Sequence, residues 1–138
     1  MSSVLLDTNA YAALAAGDER VLEALSHADT VYLSVITLGE LHAGFRGGSR
    51  QAANRAQLAA FLGKPTVQTL EIGPETAEIF GQVKDGLRRA GMPIPINDVW
   101  LAAQAIETGS VLVSFDDHFT RVPGIRLWEV PPDSAGSQ

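Results

Sequence analysis

Four carboxylates in this chain follow apolar runs or sit at the starts of helical patterns, where the backbone turns: Asp7, Glu40, Asp98 and Asp116. The first follows the apolar run Val4-Leu5-Leu6 and leads into Thr8-Asn9, and the last ends Val111-Leu112-Val113-Ser114-Phe115-Asp116. Short apolar runs bounded by polar breaks suit buried strands of a parallel sheet. Such strands deliver the residues after them to the carboxyl edge, where open α/β folds bind ligands. Asp98, and more loosely Glu40, lie near helix starts, and helices that follow strands begin at that same edge. Four acids meeting there without matching Lys or Arg would repel one another strongly in a low-dielectric cleft. A hard divalent cation removes the conflict. Mg²⁺ takes oxygen ligands, keeps several waters and recruits substrate phosphates.

Taken singly, each acid also has an ordinary structural explanation. Asp7 is able to accept bonds from free N–H groups of a following helix. Thr37-x-x-Glu40 fits a capping box, with Glu40 reaching back to the Thr37 N–H. Asp98 follows Asn97, a capping residue, where a helix dipole favours an acid. Asp116 simply ends a strand. It is their shared edge that points to chemistry.

The elements that must position these acids read as alternating strands and helices. Ala10–Ala16 favours helix and stops at Gly17; Asp18 caps a second helix to about Ala28, with Val21, Leu22 and Leu25 on its buried side. Thr30–Ser34 is a strand, followed by a helix from Val35 to near Gly47-Gly48, and then by a basic, alanine-rich helix from Gln51 to Leu62. Thr66–Leu70 reads as a third strand. Pro74-Glu75 opens a helix with Ile79, Val83 and Leu87 on one stripe, ending at Gly91. The prolines of Met92-Pro93-Ile94-Pro95-Ile96 enforce extended geometry. Asn97 caps a helix over 98–108, Ser110–Phe115 is a fourth strand, and Ile125–Trp128 a short fifth. The pattern predicts an α/β fold, a three-layer α/β/α sandwich around a mostly parallel sheet of four to five strands. Residues 1–130 are expected to form one domain, with 131–138 a disordered tail.

Composition narrows the function classes. The 138 residues include no cysteine, which removes disulfides, thiolate metal sites and a cysteine nucleophile. No apolar stretch approaches a membrane span, and no leader pattern opens the chain, so a cytoplasmic protein is expected. The formal charge of −6 is unevenly spread: residues 41–70 hold Arg46, Arg50, Arg55 and Lys64 and no acid. That basic stretch is a candidate contact for nucleic acid or for an acidic partner, and equally a solvated helical face. His27, His42 and His118 lack metal-ligand spacing and read as ordinary histidines. Phe80, Trp100, Phe115, Phe119 and Trp128 fall on apolar faces and read as core. Phosphate-binding glycine loops and nucleophile elbows are missing from the sequence.

The motifs together resemble the PIN-domain ribonuclease toxins of bacterial and archaeal VapBC toxin–antitoxin pairs. The likeness runs from Val4 to about Val130. It rests on Asp7-Thr8-Asn9, Glu40-Leu41-x-x-Gly44, Asn97-Asp98 with Ala102-Ala103, and Ser114-x-Asp116-x-x-Phe119, preceded by Gly91-x-Pro93-x-Pro95. The resemblance implies an endoribonuclease dependent on Mg²⁺ or Mn²⁺, inhibited by a VapB-like antitoxin and dimeric with itself. It assigns Asp7, Glu40, Asp98 and Asp116 as the acidic quartet. Ser114 stands where the family more often has Thr and keeps the hydroxyl. Asn9 and Ser114 are expected to support a carboxylate or the scissile phosphate. Asp117 adds a fifth acid, and the spacing to Ser114 and Phe119 favours Asp116 as the one that faces the metal.

Two other readings are open. A phosphoryl-transfer domain with an aspartate nucleophile is disfavoured by the missing second aspartate after Asp7 and by the placement of Lys64 and Lys84. A catalytically inactive RNA- or partner-binding module is disfavoured by the presence of all four acids.

Overall fold

Strand β1 (Ser3–Leu6) decides the architecture because both of its faces are apolar. Val4 and Leu6 point to one side of the sheet and Leu5 to the other, and all three are buried. Both faces must therefore be covered. In the computed structural model, which describes residues 2–133, helices α1 (Thr8–Ala15), α2 (Glu19–Ser26), α3 (Val35–Phe45) and α4 (Gln51–Leu62) cover the first face. Helices α5 (Pro74–Arg89) and α6 (Ile96–Thr108) cover the second, with a 3₁₀ turn at Asp117–Arg121. Tyr11, Val21, Leu41, Leu58 and Phe61 pack on the Val4/Leu6 side. Leu87, Val99, Ala102, Leu112 and Phe119 pack on the Leu5 side. Each fully buried Leu contributes about 1.5–3 kcal/mol relative to exposure. The expected three-layer sandwich is the one found.

Strands β2 (Thr30–Ser34), β3 (Val67–Leu70), β4 (Val111–Val113) and β5 (Arg126–Leu127) complete a five-stranded sheet in the order β3-β2-β1-β4-β5. Every pairing is parallel. The chain builds outward from β1 through β2 to β3, then crosses back to place β4 on the other flank of β1. The β1/β4 boundary is thus a topological switch point, where α/β sheets open a crevice beyond their carboxyl ends. The register sets Leu6 opposite Val113. Asp7 and Ser114 consequently leave the sheet side by side, and the Asp7 N–H still donates to the Val113 carbonyl at 3.2 Å.

Three local expectations are corrected. Helix α3 is capped by Ser34, whose hydroxyl accepts from the Ile36 N–H at 3.0 Å, so Thr37 and Glu40 form no capping box. Strand β2 runs directly into the helix, and the hydroxyl at the junction is the one within reach. Helix α6 starts at Ile96 behind Pro95, so Asn97 lies inside the first turn rather than capping it. Leu22 is 58% exposed, because the phase set by the Asp18 cap turns the Val21 and Leu25 stripe inward instead.

Of the aromatic residues expected in the core, Phe119 is fully buried, and Phe80, Phe115 and Trp128 pack partly buried against the two apolar layers. Trp100 stacks on Phe80 with ring centroids 3.9 Å apart. Residues 131–133 lack regular structure, although the Pro131 carbonyl accepts from Arg20 Nη1 at 3.3 Å. The rest of the expected tail lies outside the described residues. Among the described residues no helix is long and apolar enough to cross a membrane.

Candidate active site

Asp7, Glu40, Asp98 and Asp116 all line one cleft of about 360 Å³ at the carboxyl edge, together with Thr8, Asn9, Pro95, Ile96 and Asn97. The lining contains four carboxylates and no lysine or arginine. A larger cavity of about 440 Å³ opens among Tyr11, Leu22, Leu25, Phe61 and Val67, but it is apolar and holds no carboxylate. The carboxylates gather in the smaller one.

Each acid is delivered by a different element. Asp7 ends β1 and caps α1, accepting from the Ala10 N–H at 2.8 Å. It is only 6% exposed, and the Ser114 hydroxyl hydrogen-bonds to its carboxylate. The Ser114 oxygen in turn accepts from the Asp116 N–H at 3.0 Å, tying the loop after β4 to the end of β1. Asp98 sits in the first turn of α6, where the helix dipole favours a carboxylate. Glu40 lies in the second turn of α3. Released from any capping role, it accepts from the Thr8 hydroxyl and, at 3.3 Å, from Asn97 Nδ2. Asp116 is the most exposed of the four acids and Asp117, also exposed, does not line the cleft.

His118 was expected to be an ordinary histidine, and its position corrects that reading. Its Nε2 lies 2.8 Å from Asp98 Oδ2, and its Nδ1 3.3 Å from Asp116 Oδ1. The Nε2 contact is close, but its N–H is not aimed along an acceptor in hydrogen-bond geometry. One donor atom from each of Asp98, Asp116 and His118 falls within a 4.8 Å cluster, an arrangement able to hold a metal ion. Thr8, Asn97 and His118 are the site residues that spacing did not reveal. The available signal was adjacency: each stands within two residues of an acid already singled out.

Other expected residues distribute unevenly. Asn9 is exposed and lines the cleft, whereas Ser114 is buried behind Asp7. Arg46, Arg50, Arg55 and Lys64 are exposed, and none reaches the acidic cleft. Lys64 lines the apolar cavity instead, just before β3 and so near the opposite, amino edge of the sheet.

Burial pushes the Asp7 carboxyl above its ordinary value; the Ser114 and Ala10 hydrogen bonds pull it back, and Asp98 and Asp116 push it further up. Burial likewise raises Asp98; His118 opposes the shift, and Glu40 and Asp116 add to it. An acid whose folded pKa is raised binds its proton more tightly when folded. Its favourable contribution is complete below the unfolded value near 3.8 and is lost as pH rises through the folded pKa. Metal-free Asp7→Asn protein should therefore melt higher than wild type at pH 7. The gap should close as the pH falls toward 3.8. Thermal melts in chelator across that range measure it; a gap independent of pH would contradict the raised carboxyl. The same unfavourable charge suits a hard cation: all four cleft acids offer oxygen donors, so the residues present fit Mg²⁺ or Mn²⁺.

Residues 4–125 match the family model described as PIN domain. The chain is 34% identical over 131 residues to Ribonuclease VapC2 of Haemophilus influenzae, with 91% of this chain and 96% of that protein covered. It is 27% identical over 126 residues to Ribonuclease VapC5 of Mycobacterium tuberculosis, covering 91% and 92% respectively. Its fold superposes on a chain of the DNA-bound VapBC crystal structure from Salmonella typhimurium with a TM-score of 0.83. That pair shares 28% identity and covers 95% of this chain and all of the other. The acids at the switch point, the parallel five-stranded sheet and these similarities converge: the chain belongs to the PIN domain family, and VapC ribonucleases are among its relatives.

Proposed function

We propose that this protein is a divalent-metal-dependent endoribonuclease, the toxin of a toxin–antitoxin pair, acting on RNA phosphodiester bonds in the cytoplasm. The observation that carries the reading is the cleft in which Asp7, Glu40, Asp98 and Asp116 converge with no basic residue among them. The names of its VapC relatives and their VapBC complexes support it.

In this reading Asp7 and Asp98 hold Mg²⁺ or Mn²⁺ most directly, and Glu40 and Asp116 orient the surrounding waters or a second ion. A bound divalent ion supplies a nucleophile at neutral pH by acidifying water, and it stabilises charge developing on the phosphate. The chain's own part is positioning. Ser114 and the Ala10 N–H fix the Asp7 carboxylate. Thr8 and Asn97 fix Glu40 between them. Asn9, exposed at the cleft, donates to the scissile phosphate. A histidine base is not required.

Incubating purified protein with single-stranded RNA in Mn²⁺, with and without EDTA, tests the assignment. Internal cleavage that chelator stops and Mn²⁺ restores is expected; cleavage indifferent to chelation would sink it. A phosphomonoester in the same assay should be left intact.

The partner of the toxin is a VapB-like antitoxin, and the toxin itself forms a two-fold dimer. Arg46, Arg50, Arg55 and Lys64 supply basic surface outside the cleft, for RNA or for the antitoxin. Replacing all four with Gln should weaken RNA binding and flatten its salt dependence, because fewer counterions are released. An unchanged salt slope together with unchanged antitoxin inhibition would leave them as a solvated face.

A further inference from the structure

We propose that His118 is a positioning residue of this centre, spanning Asp98 and Asp116 from behind and setting the separation and orientation of their carboxylates. The inference rests on the reading of the cleft as a divalent-ion site.

Asp98 and Asp116 come from different elements. One is in the first turn of α6, the other in the loop after β4. The Asp116 side chain is 45% exposed, so packing holds its rotamer less firmly than that of a buried residue. His118 supplies the link: Nδ1 lies 3.3 Å from Asp116 Oδ1, and Nε2 lies 2.8 Å from Asp98 Oδ2. One oxygen of each carboxylate thus lies against the ring, and both residues line the cleft.

The imidazole is itself held. It is 17% exposed and sits on the 3₁₀ turn whose next residue, Phe119, is fully buried. Arg121 Nη1 donates to the Pro93 carbonyl at 3.0 Å, which ties that turn to the extended segment leading into α6. The turn bearing His118 and the helix bearing Asp98 are thereby fastened together. Asp98 and Asp116 line the cleft and His118 does not. With a carboxylate oxygen against each ring nitrogen, the imidazole is placed to orient the two carboxylates, the role proposed for it in place of a ligand's. Loss of such an outer-shell partner costs roughly 10–100-fold in metal affinity or activity.

The experiment uses the full chain without RNA and Mn²⁺ as the probe. Mn²⁺ affinity is measured by calorimetry for wild type, His118→Ala and His118→Gln, with circular dichroism as the check on folding. His118→Ala should bind Mn²⁺ about 10–100-fold more weakly, and His118→Gln, which keeps one N–H donor, should fall between. In cleavage assays the Mn²⁺ concentration for half-maximal rate should rise by the same factor, and saturating Mn²⁺ should recover most of the plateau. A role in folding alone would not produce that split. Pulsed EPR of the wild-type Mn²⁺ complex should lack inner-sphere nitrogen coupling.

Unchanged affinity in the folded variants overturns the proposal, and so does strong nitrogen coupling, which would make His118 a ligand. If His118→Ala fails to fold, His118→Gln carries the comparison, and wild-type affinity in it is equally decisive against. Wild type that binds no Mn²⁺ would bring down the metal-site reading and this inference with it. Wild type that binds Mn²⁺ while both variants match it would bring down this inference alone.

Discussion

Asp98→Asn and Asp7→Asn are each expected to stop RNA cleavage while leaving the fold standing. Asparagine is nearly isosteric with aspartate, so the packing around either position barely changes. It nevertheless removes a negative charge and a strong oxygen ligand from a cleft that has no lysine or arginine to compensate. At Asp7 the cap survives, since an asparagine oxygen can still accept from the Ala10 N–H. The loss of activity should exceed the roughly 10–100-fold that removing an outer-shell partner costs. Stability should move the other way. Burial raises both carboxyls in the metal-free protein, so neutralising either one relieves an unfavourable charge.

Ion binding gives a second readout. Mn²⁺ should raise the wild-type Tm by preferential binding to the native state, and the increment should shrink in either variant. If the acids were only caps and turn residues, Asn would preserve cleavage and the response to Mn²⁺ would not differ. A variant that cuts RNA at the wild-type rate would falsify the assignment of these two acids.

The second large effect is expected at Phe119, outside the cleft. Phe119→Ala should cost about 3–5 kcal/mol, the range for truncating a fully buried phenylalanine. Typical domains have only about 5–15 kcal/mol in total, so the loss is a large share of the stability. Phe119 packs in the layer formed by Leu5, Val99, Ala102 and Leu112, and belongs to the same 3₁₀ turn as Asp117 and His118, which follows Asp116 directly. Its removal should therefore act on the site as well as on the fold. The expected pattern is a lower urea midpoint in chelator together with a smaller Mn²⁺ increment. Phe119→Leu, which refills much of the space, should recover part of both. A loss below about 1 kcal/mol for the alanine variant would mean that the layer collapses around the gap.

Much of this molecule is legible in local pattern. Val4-Leu5-Leu6 is apolar at consecutive positions, and a strand with that composition must be covered on both sides; the sandwich follows from it. Alternation of short β-rich runs with longer helical stripes determines the parallel α/β class, because parallel strands need crossovers. Asp7 and Asp116 are placed by simple continuation of the strands before them. Asp98 is placed by the helix start that the Pro93 and Pro95 segment forces.

What local pattern does not carry is the order in which the strands pair. Nothing near Val111 specifies that β4 lies against β1 rather than beside β3. That choice is made by which arrangement buries Leu5, Leu112 and Phe119 together. Once made, it brings Asp7 and Asp116 within reach, and the Leu6–Val113 register sets Ser114 against Asp7. The same holds for the second ring of contacts. Glu40 meets Thr8 across 32 positions of sequence and Asn97 across 57. His118 meets Asp98 only because the turn beyond β4 folds back onto the start of α6. Capping chemistry can nominate Ser34 or Thr37, and both have suitable hydroxyls; the point at which β2 stops pairing with β3 at Leu70 chooses Ser34. Sequence periodicity records which side of an element is apolar. It takes closure of the chain over long loops, driven by burial of those sides, to decide which polar residues at their ends become neighbours.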